Sequence, residues 1–271
     1  MRFLEKINYI IVMQVLLLFY LGTLQAQTPS DAVMMKKQEL CLAFNYDYGS
    51  WNKYWEGDNL RGNENIGTLT RNMWSPMLAY GIIDHLNIIV STPYIKTKAS
   101  GGQIKGAEGF QDLNFSLKYM MMNKAMGKGK LAVLATLGFA TPMSNYLSDF
   151  MPFSIGLGTN ELSLRGIIQY RFGNRFYVRS ALAHLWRGQT EAERDYYYNN
   201  GSYYTSWMDV PNAWNYNGVI GITLFDNSLK LEANYTGLSS TNGDDIRKYN
   251  APQPTNKVEW EQIGFFSQYY F

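Results

Sequence analysis

Glu261-Gln262-Ile263-Gly264-Phe265-Phe266-Ser267-Gln268-Tyr269-Tyr270-Phe271, at the C-terminal end of the sequence, reads as a β-strand. Ile263, Phe265, Tyr269 and Phe271 fall on one face at a period of two, and that face needs an apolar environment. A closed barrel in lipid supplies one, and closure also removes the open edge that such a strand would present to other chains. The expected fold is all-β, a transmembrane antiparallel up-and-down β-barrel.

The other end of the sequence agrees. Arg2 and Lys6 precede the apolar run Tyr9 to Leu21, which leads into Thr23-Leu24-Gln25-Ala26. A charged start, a short apolar core and a small residue at the exit mark a secretory signal cleaved after Ala26. The run falls short of the roughly 20 residues that a spanning helix needs. Residues 1–26 are therefore expected to be removed, leaving 27–271 as one barrel domain. Cys41 lies beyond Lys36-Lys37-Gln38-Glu39 and far from the apolar core, so no lipoprotein signal is expected. Past the signal no apolar stretch is long enough for a transmembrane helix, and spanning falls to strands.

Composition narrows the function. The 271 residues are 46% hydrophobic and 15% aromatic with 24 glycines, which suits one large β domain. A single cysteine in an exported chain excludes an internal disulfide and argues against cysteine-based zinc sites. A net charge of +2, with no basic cluster carrying interleaved aromatics, argues against a nucleic-acid partner.

Alternation recurs inside the chain. Leu113, Phe115, Leu117, Tyr119 and Met121 share one phase, and Asp112, Asn114, Ser116 and Lys118 the other. The same holds from Glu161 to Phe172 and from Leu229 to Thr236. A soluble sandwich also alternates, and the signal with the terminal strand favours the membrane. Short turns are expected at Ile83-Asp84-His85, around Asn123 to Gly129, at Gly173-Asn174 and at Asp226-Asn227. Long polar connections are expected near 52–65, 98–110, 144–158, 188–206 and 237–257. Long and short connections alternate, as in a barrel with short periplasmic turns and long extracellular loops. Ten strands follow: 39–51, 66–82, 86–97, 111–122, 129–143, 159–172, 175–187, 207–225, 228–237 and 257–271. Twelve result if 28–38 and part of a long loop form another pair. An even count keeps both termini periplasmic.

The segment Tyr80-Gly81-Ile82-Ile83-Asp84-His85-Leu86-Asn87-Ile88-Ile89-Val90-Ser91-Thr92-Pro93-Tyr94 has a short Asp turn introducing a strand that ends in Pro-Tyr. Gly109-Phe110-Gln111-Asp112-Leu113 begins a strand ending in Lys118-Tyr119, and Ala140-Thr141-Pro142 precedes Gly156-Leu157-Gly158-Thr159-Asn160. Over roughly residues 70–190 these patterns resemble the MetA-pathway phenol-degradation proteins. The resemblance implies an outer-membrane barrel acting as a transporter of hydrophobic or aromatic compounds. Phe110 and Gln111 stand where smaller residues are usual, and the tyrosine run of 196–204 is peculiar to this chain.

The polar phase contributes Asp47, Asp112, Lys118, Glu161, Arg165, Arg171, Arg179, Lys230 and Glu232 as candidate lumen-lining residues. They form either a selective constriction or a mutually paired interior that fills a narrow barrel. Trp51, Trp55, Trp74, Trp186, Trp207 and Trp214, with Tyr46, Tyr48, Tyr54, Tyr203, Tyr204 and Tyr216, are expected at the loop-side membrane interface. The candidate loop aromatics Tyr196, Tyr197, Tyr198, Tyr203 and Tyr204 could stack on a sugar or aromatic ligand, or fold on one another.

Catalytic signals are poor. His85 and His184, the only histidines, fall near opposite ends of the predicted wall, so no Ser/His/Asp triad assembles. Glu191, Glu193 and Asp195 alternate with Arg194 and polar residues, which reads as a solvated loop face. Gly127-Lys128-Gly129-Lys130 and Gly156-Leu157-Gly158 lack the spacing of phosphate and dinucleotide loops. No cofactor or metal is expected. The leading expectation is a passive outer-membrane channel for a small hydrophobic, aromatic or amphipathic solute, folded by the barrel assembly machinery through its C-terminal strand and surrounded by lipid. A barrel that only presents loops is the alternative, and a lipid-modifying enzyme the third.

Overall fold

The computed structural model describes residues 27–103, 106–148, 150, 152–173, 175–192, 197–199, 203–225, 228–243 and 257–269. Among them the regular structure is all β. The first elements are β1 (Leu40–Trp51), β2 (Lys53–Glu56), β3 (Asn59–Gly62), β4 (Leu69–Ile83), β5 (Leu86–Ser91), β6 (Tyr94–Ala99), β7 (Glu108–Phe110), β8 (Asp112–Met126) and β9 (Gly129–Pro142). They continue as β10 (Glu161–Phe172), β11 (Phe176–Arg187), β12 (Gln189–Glu191), β13 (Tyr197–Asn199), β14 (Tyr203–Thr205), β15 (Trp207–Asp209), β16 (Ala213–Leu224), β17 (Leu229–Ser240) and β18 (Trp260–Tyr269).

Twelve of these form one antiparallel up-and-down sheet that curls as a half-barrel. From one edge it runs β18, β17, β16, β11, β10, β9, β8, β5, β4, and β1 pairs along the far side of β4. The expected strand 86–97 is two pieces. β5 pairs with β4 from Met77 to Ile83 and β6 pairs with it from Leu69 to Trp74. The break falls at Thr92-Pro93, where proline has no N–H to give the ladder. Its carbonyl is still used, accepting from the Gln111 amide at 2.9 Å, and Gln111 is the matching break between β7 and β8. Among the described residues no ladder joins β18 to β1, so the described wall stops at these two edges.

Side-chain direction follows the pleat. Leu42 (70% exposed), Ile220 (66%), Ile263 (77%) and Phe265 (89%) stand on the convex face, whereas Lys118 and Asn87 are fully buried on the concave one. Each large apolar side chain left in water forgoes about 1.5–3 kcal/mol, so a whole face of them is stable only in an apolar surround. The polar phase of β8, β10 and β17 lines the inside, whereas β6 and β9 turn Ile95, Ala99, Ala132 and Leu134 inward as apolar patches.

Short turns sit at one end. Asp84-His85 link the paired Ile83 and Leu86, and Gly127-Lys128 link Met126 and Gly129, with Gly127 at φ 58°. Residues 123–126, expected in that turn, continue β8. At the other end the chain projects beyond the sheet. β2 and β3 form a hairpin, β12 pairs with β15, and β13 pairs with β14. The expected strand 207–225 therefore splits, because Trp207–Asp209 belongs to this projection and β16 begins at Ala213.

Residues 28–38 form no strand, which removes the basis for the twelve-strand alternative. They enter the concavity from the short-turn end instead. Gly81 makes room for them: a Cβ there would meet the Lys36 carbonyl oxygen at 1.9 Å. Its carbonyl accepts from the Gln38 amide and its amide donates to Glu39, anchoring the segment as it becomes β1.

Candidate functional site

Five of the nine predicted inward charges meet in the half of the interior nearest the short turns. Arg179 on β11 reaches Glu232 on β17 at 3.1 and 3.4 Å, and Lys230 reaches the same carboxylate at 3.1 Å. Tyr177, two residues from Arg179 and hence on the same face, donates its hydroxyl to Glu232 at 2.5 Å. The Arg171 guanidinium lies 5.0 Å from the Tyr177 ring centroid, a cation–π distance. The positive charges of Arg179 and Lys230 both act on Lys118 through space.

Lys118 is held by the N-terminal segment. Its ammonium donates to Asp31 Oδ1 at 2.7 Å and to the carbonyls of Thr28 and Val33 at 2.8 and 3.0 Å. Asp31 is organised locally before it meets the lysine, accepting from the Thr28 amide and hydroxyl and from the Val33 amide. Burial opposes the charge on Asp31, and the Lys118 ammonium with these donors outweighs it, so the carboxyl titrates below the usual carboxylate range. Gln27 and Pro29 tie the same segment to Asn87 and Thr136 at 2.9 and 3.1 Å. Ala32 and Met34 cover the apolar patch of Ala132, Leu134, Ile167 and Ala181, and Met35 packs with Cys41, Met77, Ala79 and Ile89. Residues 27–35 thus form a plug against the inner wall.

The loop-side half is filled differently. The connection 143–158 folds inward, burying Phe153 against Leu69 and Ala99, and the Phe153 carbonyl accepts from Thr97 at 2.8 Å. Tyr146 donates to Asp112 at 2.6 Å and accepts from the Gly158 amide at 3.1 Å. Burial and the Asp112 carboxylate both push the Tyr146 hydroxyl pKa up. Gly158 has φ +65°, and a Cβ there would stand 2.6 Å from the Thr190 hydroxyl. The Gly156-Leu157-Gly158 spacing therefore serves loop packing. Glu161 pairs with Arg187 at 2.7 Å and its charge acts on Arg165, as that of Asp47 acts on Arg71.

The sequence reading missed Asp31, Tyr177, Tyr146, Arg71 and Arg187. Arg71, Tyr177 and Arg187 share the inward phase of their strands and were legible from it. Asp31 and Tyr146 lie outside any strand and carried no periodic signal.

On the convex face Tyr46, Trp74, Tyr94 and Phe110 form a chain of ring contacts at 5.7, 6.1 and 5.3 Å. His184 is wedged between Trp186 and Trp214 at 4.5 and 4.6 Å. Trp55 and Trp207, expected in this belt, lie on the projecting hairpins, and Trp51 takes the inward phase opposite Leu69. Tyr196, Glu193 and Asp195 lie outside the described residues; the backbones of Tyr197 and Tyr198 pair with those of Thr205 and Tyr204, and Asn199 with Tyr203. Among the described residues no group of three His, Cys, Asp or Glu side chains converges on a metal position. No family model and no curated protein matches this chain.

Proposed function

We propose that this protein is an outer-membrane channel that passes a small amphipathic or hydrophobic solute without energy input, exported by a signal removed after Ala26. The observation that carries the reading is the inversion of polarity. Charged side chains such as Lys118, Arg179 and Glu232 are buried on the concave face while large apolar ones stand exposed on the convex face. A water-soluble sheet does the reverse. An apolar groove of about 420 Å³ between Phe176, Ile220, Ile222, Leu231 and Phe265 on the convex face has the character of a surface that meets acyl chains. The charged ladder sets size and charge limits on what passes, and the chain acts as a conduit, not an enzyme. The likeness of residues 70–190 to the MetA-pathway proteins supports the same solute class.

One observation favours the alternative, a barrel that presents loops without transport. The interior is occupied at both ends, by residues 27–35 below and by the 143–158 connection above. Solute entry into vesicles carrying the folded protein separates the two. Uptake of small solutes well above that of empty vesicles is expected, and a folded preparation that admits none of them overturns the channel.

A further inference from the structure

The wall around Lys118 is built to hold an anion, and the anion it now holds is brought by the plug. Among the described residues all hydrogen bonds of the Lys118 ammonium go to the N-terminal segment, and the side chain is fully buried. Four cations gather in this half of the interior, Lys118, Arg171, Arg179 and Lys230, and the wall supplies Glu232 to face them. Asp31 is the second carboxylate, and it leaves if the segment leaves. Among the described residues Arg179 Nε and Asn87 Oδ1 are buried here without a hydrogen-bond partner, which costs about 1–3 kcal/mol each unless a ligand or water meets them. Next to the charge lies the apolar patch of Ala132, Leu134, Ile167 and Ala181, covered by Ala32 and Met34.

Within four consecutive residues the plug therefore offers the wall a carboxylate and, beside it, a short apolar surface. We propose that this wall is a binding site for small organic anions, a carboxylate joined to an aliphatic tail, and that Asp31 with Ala32 and Met34 occupies it as an internal ligand. A solute of that chemistry competes with the tethered segment for Lys118, and its binding frees residues 27–35 from the interior. The inference deepens the transport reading by naming its solute class, though binding itself does not depend on flux.

The probe is hexanoate, with hexanol and hexylammonium as controls of equal tail and different charge. Calorimetry on the full mature protein in nanodiscs, paired with limited proteolysis of residues 27–38, reads both binding and release. Hexanoate is expected to bind and to expose the segment, and the two controls to do neither. Asp31→Asn removes the internal competitor's charge and should tighten hexanoate binding on the order of tenfold, whereas Lys118→Met should abolish it. Lys118→Arg keeps the charge and should retain binding within a few-fold, so the test survives if Lys118→Met fails to fold. Equal binding of hexanol or hexylammonium overturns the proposal, as does an affinity unchanged by Asp31→Asn. Hexanoate bound but not admitted to vesicles refutes the channel and leaves the site. Hexanoate admitted to vesicles without measurable binding refutes the site and leaves the channel.

Discussion

The two halves of the interior are filled by segments of opposite character. Below, residues 27–35 lie against the wall and are fixed by a buried ion pair, Lys118 to Asp31, with apolar contacts beside it. Above, a connection tied at both ends to β9 and β10 folds inward and is fixed by Phe153 packing and a hydroxyl–carboxylate bond from Tyr146 to Asp112. With the proposed cleavage after Ala26, the lower segment is a chain end that can withdraw as a whole once its charge partner is satisfied elsewhere, whereas a doubly anchored loop can only shift. The lower filler has the build of a removable plug and the upper one that of a fixed narrowing.

The largest test of that contrast is to delete residues 27–35. Single-channel conductance should rise at least tenfold, because the wall alone then bounds the lower interior; unchanged conductance would place the restriction in the mouth. Next comes Lys118→Met, which leaves the Asp31 carboxylate buried without its cation. Breaking one partner of a buried pair costs about 3–5 kcal/mol, taken here from plug docking and read as protease sensitivity of residues 27–38. Phe153→Ala in the mouth should cost a similar 3–4 kcal/mol through the cavity it leaves, seen as faster amide exchange in 143–158 with no change in the plug.

A smaller effect comes from acid. Because the Asp31 carboxyl is held below its ordinary value of 3.8, its contribution to docking is complete above that pH and is lost as pH falls through the lowered value. Plug protection should accordingly persist at neutral pH and fall only in strong acid. Alkaline solution up to about pH 10 should leave Tyr146 protonated, since its pKa is raised above the ordinary value of 10.0. Smallest is Gly158→Ala, where positive φ and the Thr190 contact together should cost about 1 kcal/mol, measured as a modest gain in mouth mobility.

Much of the wall was legible in the chain because a strand's facing is a local property. Lys118 sits inward because Leu117 and Tyr119 sit outward, and Asp84, Gly127 and Gly173 announce their turns within a few residues. Thr92-Pro93 carried the signal for a break, since a proline cannot donate to a ladder, but the expected strand 86–97 ran through it, and the pairing of both halves with one partner strand was not visible. Trp51 and Trp207 were misplaced because aromatic type says nothing about phase or about which strand a residue belongs to.

The sequence by itself determined an antiparallel β wall, greasy on one side and charged on the other, since a period of two needs only neighbours along the chain. The tertiary structure decided what lies within the curl. Asp31 meets Lys118 across 87 positions of sequence and Thr97 meets Phe153 across 56, and neither partner carries a mark of the other. Such meetings depend on how the sheet curves and where its ends bring the chain, which no local pattern encodes.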